Sequence, residues 1–573
     1  MGYDERAEQT PLMQFGGLNT RDGELNLPVG DSPYLVNMDL HPNGSIKQRK
    51  GMTLIGYPLT HKKIDAIMRL EQPEAETGWI YVVANATIYR TPYPGTIAWT
   101  VPDTIPTGYS MTKVFSTTAW GRANGRFFNG TTEYPSVLYI PRSNNPPLIA
   151  LGQTAVAGDL VVMPAGVIGA VAPATPVTGV SGYPGPSGYD DSHPQWKTNH
   201  WPTTMRMVSV GHGARMLAWG FPDDRNAVAY SAMDDPHNFI RSNVEDYSLE
   251  AQPNVDGGFY RVNPGDGDEI VTVVDMFSYT VIFKKHSTYI YTGDPGYINE
   301  WTMRAQFPVG CVSDRAWTRV GNDIYFWSKD GPRALSAVQE YGDLAQSNLS
   351  FKVSDLVRAI MPQSFRLICC YHDITNMRVV WFVPLTGSTY NDAGYAYYYE
   401  SKKWAKFSGK YCNMMDVLLV SSTGSQAEQI VGGSYDEGMV VLQSGLSDLG
   451  DDIATDYYTN WIQFGSVSDG TRALWLDVFY GDGGSGCEIQ YQTDLNPDWT
   501  DVSRIIKTFG GGGAAWTRFA WGDAAWGDTA RAHMRYEINA IFDMIRLRFK
   551  KTGTAGFETM GYRLEARRKG SRT

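Results

Sequence analysis

A chain of 573 residues with 60 glycines, 34 tyrosines and 17 tryptophans exceeds one ordinary core and is rich in turn formers and strand-favouring aromatics, which argues against a helical protein. Its net charge of −11 argues against a general nucleic-acid coat or a membrane-surface binder, since both are more often basic. Five scattered cysteines, Cys311, Cys369, Cys370, Cys412 and Cys487, form an odd set that predicts reduced thiols and cytosolic folding.

The first 60 residues read as an extended arm with two turns and no helix. Gly16 and Gly17 suggest backbone angles closed to other residues, and Pro33 and Pro42 oppose helix continuation. Pro42-Asn43-Gly44 is a turn signal, and Ser45 to Arg49 reads as a short polar strand. No signal peptide opens the chain: Met1-Gly2-Tyr3-Asp4-Glu5-Arg6 is polar and no apolar run follows, so neither export nor membrane anchoring is expected.

Strand, turn, strand follows many times over. Trp79 to Arg90 reads as a hairpin within a 61–140 stretch of first propeller strands. Residues 141–205, rich in Pro, Gly and Ala, break the pattern and read as an apolar insertion lying against another surface, with a plain flexible loop as the alternative. Hairpin units return at Met216 to Ser231, Tyr279 to Thr292, Asp323 to Ser336, Met377 to Phe407 and Ile430 to Leu442. Their spacing of roughly 40–60 residues suits one propeller blade each, so 206–450 is assigned to blades. A chain of β-sandwiches fits the same pattern. The best helix candidate is Val353 to Ile360, with Ser354 as its cap. From 451 to 573 the strands Ala473 to Tyr480, Glu488 to Gln492 and Met544 to Lys550 suggest a separate β-sandwich-like module. The class is therefore all-β: a β-propeller with an arm, an inserted segment and a C-terminal module.

Catalytic constellations are weak. The histidines show no metal spacing, the cysteines draw no zinc ribbon, and no phosphate-binding loop is present. Neither a catalytic residue nor a cofactor is assigned. Gly483-Gly484-Ser485-Gly486-Cys487 departs from a nucleophile elbow at its last position. Asp266-Gly267-Asp268-Glu269 lacks the ligand spacing of a calcium loop. Asp448, Asp451, Asp452 and Asp456 form a carboxylate cluster, the arrangement a glycosidase needs if two side chains converge.

Phe15-Gly16-Gly17-Leu18-Asn19-Thr20-Arg21-Asp22, Asp31 to Asp39 and Gly44 to Gly51 stand in an order that resembles the opening of the tail nozzle (tail tubular protein B) family of short-tailed bacteriophages. Arg215 to Gly220 with Val228 to Ser231, Val281 to Gly293, and Val309 to Ser328 extend the likeness to 10–60 and 205–445. The resemblance implies a structural virion protein folded in the host cytoplasm, forming a homohexameric tube below the adaptor and portal rings. Fibres or spikes would dock on it, and DNA would pass through without sequence-specific binding. Candidate assembly-interface residues are Phe15, Leu18, Arg21 and Arg49 of the arm and Trp516, Trp521 and Trp526 of the C-terminal module, the tryptophans having core packing as their alternative. On that reading, removing residues 1–50 leaves a folded protein that fails to assemble, and Trp521→Ala with Trp526→Ala weakens association. Two other functions stay open: a receptor- or glycan-binding module, where exposed aromatics stack on sugars, and a carboxylate-dependent glycan hydrolase.

Overall fold

The computed structural model describes residues 8–568 apart from 102–116, 163–201, 240–256, 506–531 and shorter connecting stretches. It is all-β, with a propeller as its largest part. Among the described residues, three four-stranded and two three-stranded sheets follow one another around a ring with two further four-stranded blades, which are parts of a ten-stranded and a six-stranded sheet. The first blade, three-stranded, is Ile64–Leu70, Gly78–Ala84 and Thr87–Tyr93; the second is Thr117–Trp120, Ser136–Arg142, Asn145–Ala150 and Leu160–Val162. The third runs from Thr204–Val210 to Gly258–Arg261, and the fourth from Ile270–Met276 to Thr302–Phe307. The fifth, again three-stranded, spans Trp317–Val320 to Gly331–Ala334, and the sixth Cys369–Asp373 to Lys403–Ser408. In the seventh, Met414–Val420, Gln429–Ser434 and Met439–Leu442 take Met52–Leu54 as their fourth strand. A strand from the start of the chain thus completes the last blade, which then packs on the first.

The hairpins expected from sequence are present, each joining apolar runs across a turn or loop. The inserted segment is partly blade: Leu148, Ile149 and Ala150 are buried, and Leu148 and Ala150 pack with Ala66, Tyr81 and Leu138. Its remainder, 163–201, lies outside the described residues. The short helix is Ser354–Arg358, preceded by a 3-10 turn at Phe351–Val353, so Ser354 is its first residue and not its cap. A second helix, Leu335–Tyr341, follows the fifth blade.

The C-terminal module is a two-sheet sandwich. Thr471–Tyr480 lies between Glu558–Arg568 and Ala532–Glu537 in one sheet; in the other, Met544–Lys551 lies between Thr455–Tyr458 and Glu488–Thr493. Strict alternation along Met544–Lys551 sends Ile545, Leu547 and Phe549 inward and Arg546, Arg548 and Lys550 outward.

The arm is interior to this assembly. Glu8–Leu12 pairs with Glu558–Arg568, as does the hairpin Met38–Leu40 and Ile46–Gln48 through its second strand. Leu35–Val36 bridges the sixth blade and the sandwich, parallel to Lys403–Ser408 and antiparallel to Thr455–Tyr458. Gly16 and Gly17 serve close approach rather than unusual angles. A Cβ on Gly16 would meet the Gly30 carbonyl carbon at 2.5 Å, and one on Gly17 the Trp404 nitrogen at 2.7 Å. The left-handed residue of the arm's second turn is Gly44, at φ +89°.

This placement corrects the view of a free assembly limb. Phe15 is 1% exposed, with its ring 5.2 Å from that of Tyr457 and 6.2 Å from those of Phe549 and Tyr562. Leu18 is 3% exposed and Arg49 fully buried. These three are core residues, and a chain without residues 1–50 lacks the strands that join propeller to sandwich. Arg21 stays exposed, its guanidinium 3.5 Å from the centre of the Phe351 ring. Trp516, Trp521 and Trp526 lie outside the described residues.

Candidate binding site

Of the carboxylates grouped in sequence, Asp448 and Asp451 stand opposite each other across a short hairpin, but each is taken by its own cation. Asp448 is buried against Arg49, with Nη1–Oδ1 and Nη2–Oδ2 distances of 2.9 and 2.6 Å. Asp451 pairs with Lys410 at 3.0 Å, Asp456 with Arg548, and Asp452 is exposed on a two-residue strand. Each paired group is claimed by a different cation, which is a structural use of charge. The acidic turn at Asp266 is similar: Asp266 meets Lys284 at 2.6 Å, Asp268 meets His286 at 3.2 Å, and Glu269 meets Arg225 at 2.9 Å. Among the described residues no group of three His, Cys, Asp or Glu is placed to hold a metal ion. No helix among them is long and apolar enough to cross a membrane.

The cysteines are free thiols inside the core. Burial pushes Cys311 and Cys412 up to about 12 and Cys487 to about 11, and it raises Cys369 and Cys370 as well. A thiol held so far from its thiolate is a poor nucleophile. The native chain should therefore release no measurable thionitrobenzoate from Ellman's reagent until denaturant is added. Prompt release from the folded protein would place a reactive thiol at the surface.

One open cavity of about 470 Å³ lies beside the strand that completes the seventh blade, lined by Met52, Leu54, His61, Lys410, Glu437 and Leu449 among others. Its charges are already satisfied, Lys410 reaching Glu437 at 3.2 Å and Asp451 at 3.0 Å.

The outer face of the sandwich sheet is different in kind. There Tyr34, Tyr458, Trp461 and Trp499 gather around Arg546 and Arg548. The Tyr34 and Tyr458 rings are 4.9 Å apart, and so are those of Tyr458 and Trp499. The Arg546 guanidinium lies 4.8 Å from the centre of the Trp461 ring, 5.2 Å from Trp499 and 5.7 Å from Tyr458. Arg548 lies 5.3 Å from Tyr458 and 5.6 Å from Trp499. Tyr34 is exposed, and the other three rings are half-buried.

Hydrogen bonds fix the cations between the rings. Arg548 donates from Nε and Nη2 to Asp456 at 2.9 and 2.5 Å and from Nη1 to Gln490 at 3.2 Å. Arg546 donates from Nε to Gln492 at 2.5 Å. Such bidentate and stacked geometry is specific to arginine. Burial raises the Tyr458 phenol, and the Asp456 carboxylate adds to the shift, so its hydroxyl stays protonated and able to donate. The face thus offers flat apolar rings rimmed by guanidinium and hydroxyl groups; Tyr458, Trp499 and both arginines stand on strands of one sheet, and Tyr34 and Trp461 flank it.

Strand pairing assembles it. Tyr458 stands opposite Arg548, Gln490 also opposite Arg548, and Gln492 opposite Arg546. The arm brings Tyr34 alongside through a hydrogen bond from the Tyr458 amide to its carbonyl, at 2.9 Å. No local pattern marks these residues, spread from position 34 to 548, as sharing one face. The legible signal was the alternation Arg546, Arg548, Lys550, which marks an outward face without saying what shares it.

No family model matches this chain, and no curated protein does. Among solved structures it is similar to the AfRom2 CNH domain, over 69% of this chain and 98% of that one, at 6% identity and a TM-score of 0.35. It is also similar to PorZ, an essential surface component of the type-IX secretion system of Porphyromonas gingivalis. That match covers 72% of this chain and 43% of PorZ, at 12% identity and a TM-score of 0.32. A third is the extracellular domain of the putative one component system BT4673 from B. thetaiotaomicron, covering 86% of this chain and 47% of that one, at 10% identity and a TM-score of 0.29. The chain thus spans less than half of the last two.

None of these is a phage tail protein, and the nozzle reading is corrected. The homohexameric tube, the adaptor, portal, fibre and spike partners, the passage of DNA and the virion location are withdrawn with it. The structure adds a physical reason: the arm residues that carried the likeness are spent on the chain's own core.

Proposed function

We propose that this protein is a non-catalytic binding module that recognises a surface glycan through the aromatic face of its C-terminal sandwich. The observation that carries the reading is the cluster of Tyr34, Tyr458, Trp461 and Trp499 around two fixed arginines. Flat rings offer their faces to the C–H side of a pyranose, while Arg546 and the tyrosine hydroxyls supply hydrogen bonds to hydroxyls. Two of the rings and both arginines stand on paired strands, so that part of the site needs little ordering on binding, which favours affinity from a small contact area. The face lies on the sandwich and not on the propeller. The propeller is read as the scaffold that holds this face and its arm in place.

The test is a glycan array probed with the full chain, followed by titration of the best binder. Trp499→Ala combined with Tyr458→Ala should weaken binding roughly ten- to hundredfold, from two lost ring contacts. Far-ultraviolet circular dichroism should be unchanged, because both rings are partly exposed. Undiminished binding by the folded double variant would sink the proposal.

A further inference from the structure

Arg546 is the least satisfied cation on the aromatic face, and the chain itself supplies its outward partner. Its side chain is 13% exposed, walled by Tyr458, Trp461 and Trp499. Nε is bound to Gln492, Nη1 donates to Glu24 Oε2 at 2.8 Å, and Nη2 has no hydrogen-bond partner among the described residues. Arg548, one alternate position along the same strand, has a two-pronged bond to Asp456 instead. Arg546 therefore presents a half-filled fork, Nη1 taken by Glu24 and Nη2 open.

Glu24 reaches it from the arm loop that follows Asn19. That loop is closed at its base by hydrogen bonds from Asn19 to Asp31, at 3.0 Å, and from the Gly16 amide to the Gly30 carbonyl, at 2.6 Å. Leu27 anchors it in the interior, whereas Leu25 and Val29 are 66% and 80% exposed and the Glu24 side chain is 54% exposed. A single-pronged, solvent-facing ion pair holds weakly. A carboxylate from a ligand that met both Nη1 and Nη2 would hold better, because two parallel charge-assisted bonds replace one.

We infer that the aromatic face binds an acidic oligosaccharide whose carboxylate takes the Arg546 fork and displaces Glu24, so that Glu24 is a built-in competitor for the ligand. The inference rests on the glycan-binding reading and names its ligand class. The rings hold the sugar face, and Arg546 selects for the charge. The arm loop then moves off without disturbing the strands beneath it, since its base is tied separately.

The experiment uses the full chain and a panel of acidic oligosaccharides: oligogalacturonate, oligoalginate, hyaluronate fragments and sialyllactose. Each is titrated beside its own carboxyl methyl ester, with intrinsic tryptophan fluorescence as the readout. At least one acid form should bind about tenfold tighter than its ester, the worth of a charge-assisted pair. Glu24→Gln should tighten the acid form about two- to fivefold and leave the ester unchanged. Arg546→Lys keeps the charge, loses the fork and should erase most of the preference.

Equal binding of acid and ester, with both lost in Trp499→Ala, would overturn the carboxylate inference and leave the glycan reading standing. So would an acid preference indifferent to both Glu24→Gln and Arg546→Lys. Binding of polyglutamate as tight as any sugar, unaffected by Trp499→Ala, would show an acidic peptide in place of a glycan. That outcome would overturn the inference, and silence from every sugar on the panel and the array would overturn both.

Discussion

Replacing Arg49 by alanine should lower the free energy of unfolding by about 3–5 kcal/mol, the cost of breaking a buried ion pair from one side. The Arg49 side chain is fully buried, and its guanidinium makes a two-pronged bond with Asp448. Further bonds run to the Asn37 side chain at 2.9 Å and the Ser408 carbonyl at 3.0 Å, and the Tyr411 ring centre lies 4.3 Å away. One side chain thereby ties the arm to the end of the sixth blade and to the passage toward the sandwich. Burial opposes its charge, and the hydrogen bond and field of Asp448 hold it, so its affinity for the proton ends above the ordinary value. Alanine leaves the Asp448 carboxylate buried without its partner. Urea unfolding should show a lower midpoint, and Arg49→Met with Asp448→Leu should recover much of the loss, because no charge is then stranded. An unchanged midpoint for Arg49→Ala would mean that the arm contributes little to the fold.

The second large effect is expected at Trp381. It is fully buried at the centre of the sixth blade, on a strand whose six residues are all interior. Its ring lies 5.9 Å from that of Trp327 in the fifth blade and 6.0 Å from that of Trp404. Trp381→Ala removes the middle member of this row and should cost about 3–5 kcal/mol, as large aromatic truncations in a packed core do. Trp381→Phe should cost less, since the indole Nε1 has no acceptor among the described residues and nothing polar is lost with it. Thermal unfolding of the three proteins checks the order. A melting point for Trp381→Ala equal to that of the parent would contradict the packing seen here. Trp499→Ala is the useful contrast, a half-exposed ring whose loss should affect binding and leave the melting point nearly unchanged.

Much of the fold was legible because it is local. The hairpins at Gly78–Tyr93, 213–230 and 279–292 announce themselves by apolar runs and short turns, whose partners are a few residues away. So does the outward row Arg546, Arg548, Lys550, from period-two alternation alone. The inserted segment misled because its prolines hide short strands: Asn145–Ala150 carries Pro146 and Pro147 and still closes on both neighbours. The arm misled more. Its glycines and prolines describe an extended path correctly, but extension is equally the form of a free limb and of a buried tie. Part of the resemblance to a phage nozzle lay in that ambiguous shape.

From the sequence by itself came the all-β class, the blade-like repetition and the grouping of carboxylates at Asp448 to Asp456. Only the tertiary structure decided what those groups meet. It sends Asp448 to Arg49, Asp451 to Lys410 and Asp456 to Arg548. It also brings Tyr34 to Tyr458 and Glu24 to Arg546 across more than four hundred residues of chain. The reason is one of range: strand periodicity and turn chemistry act within a few residues, whereas a binding face is set by which strands pair. That pairing depends on burial summed over the whole molecule, and no local window contains it.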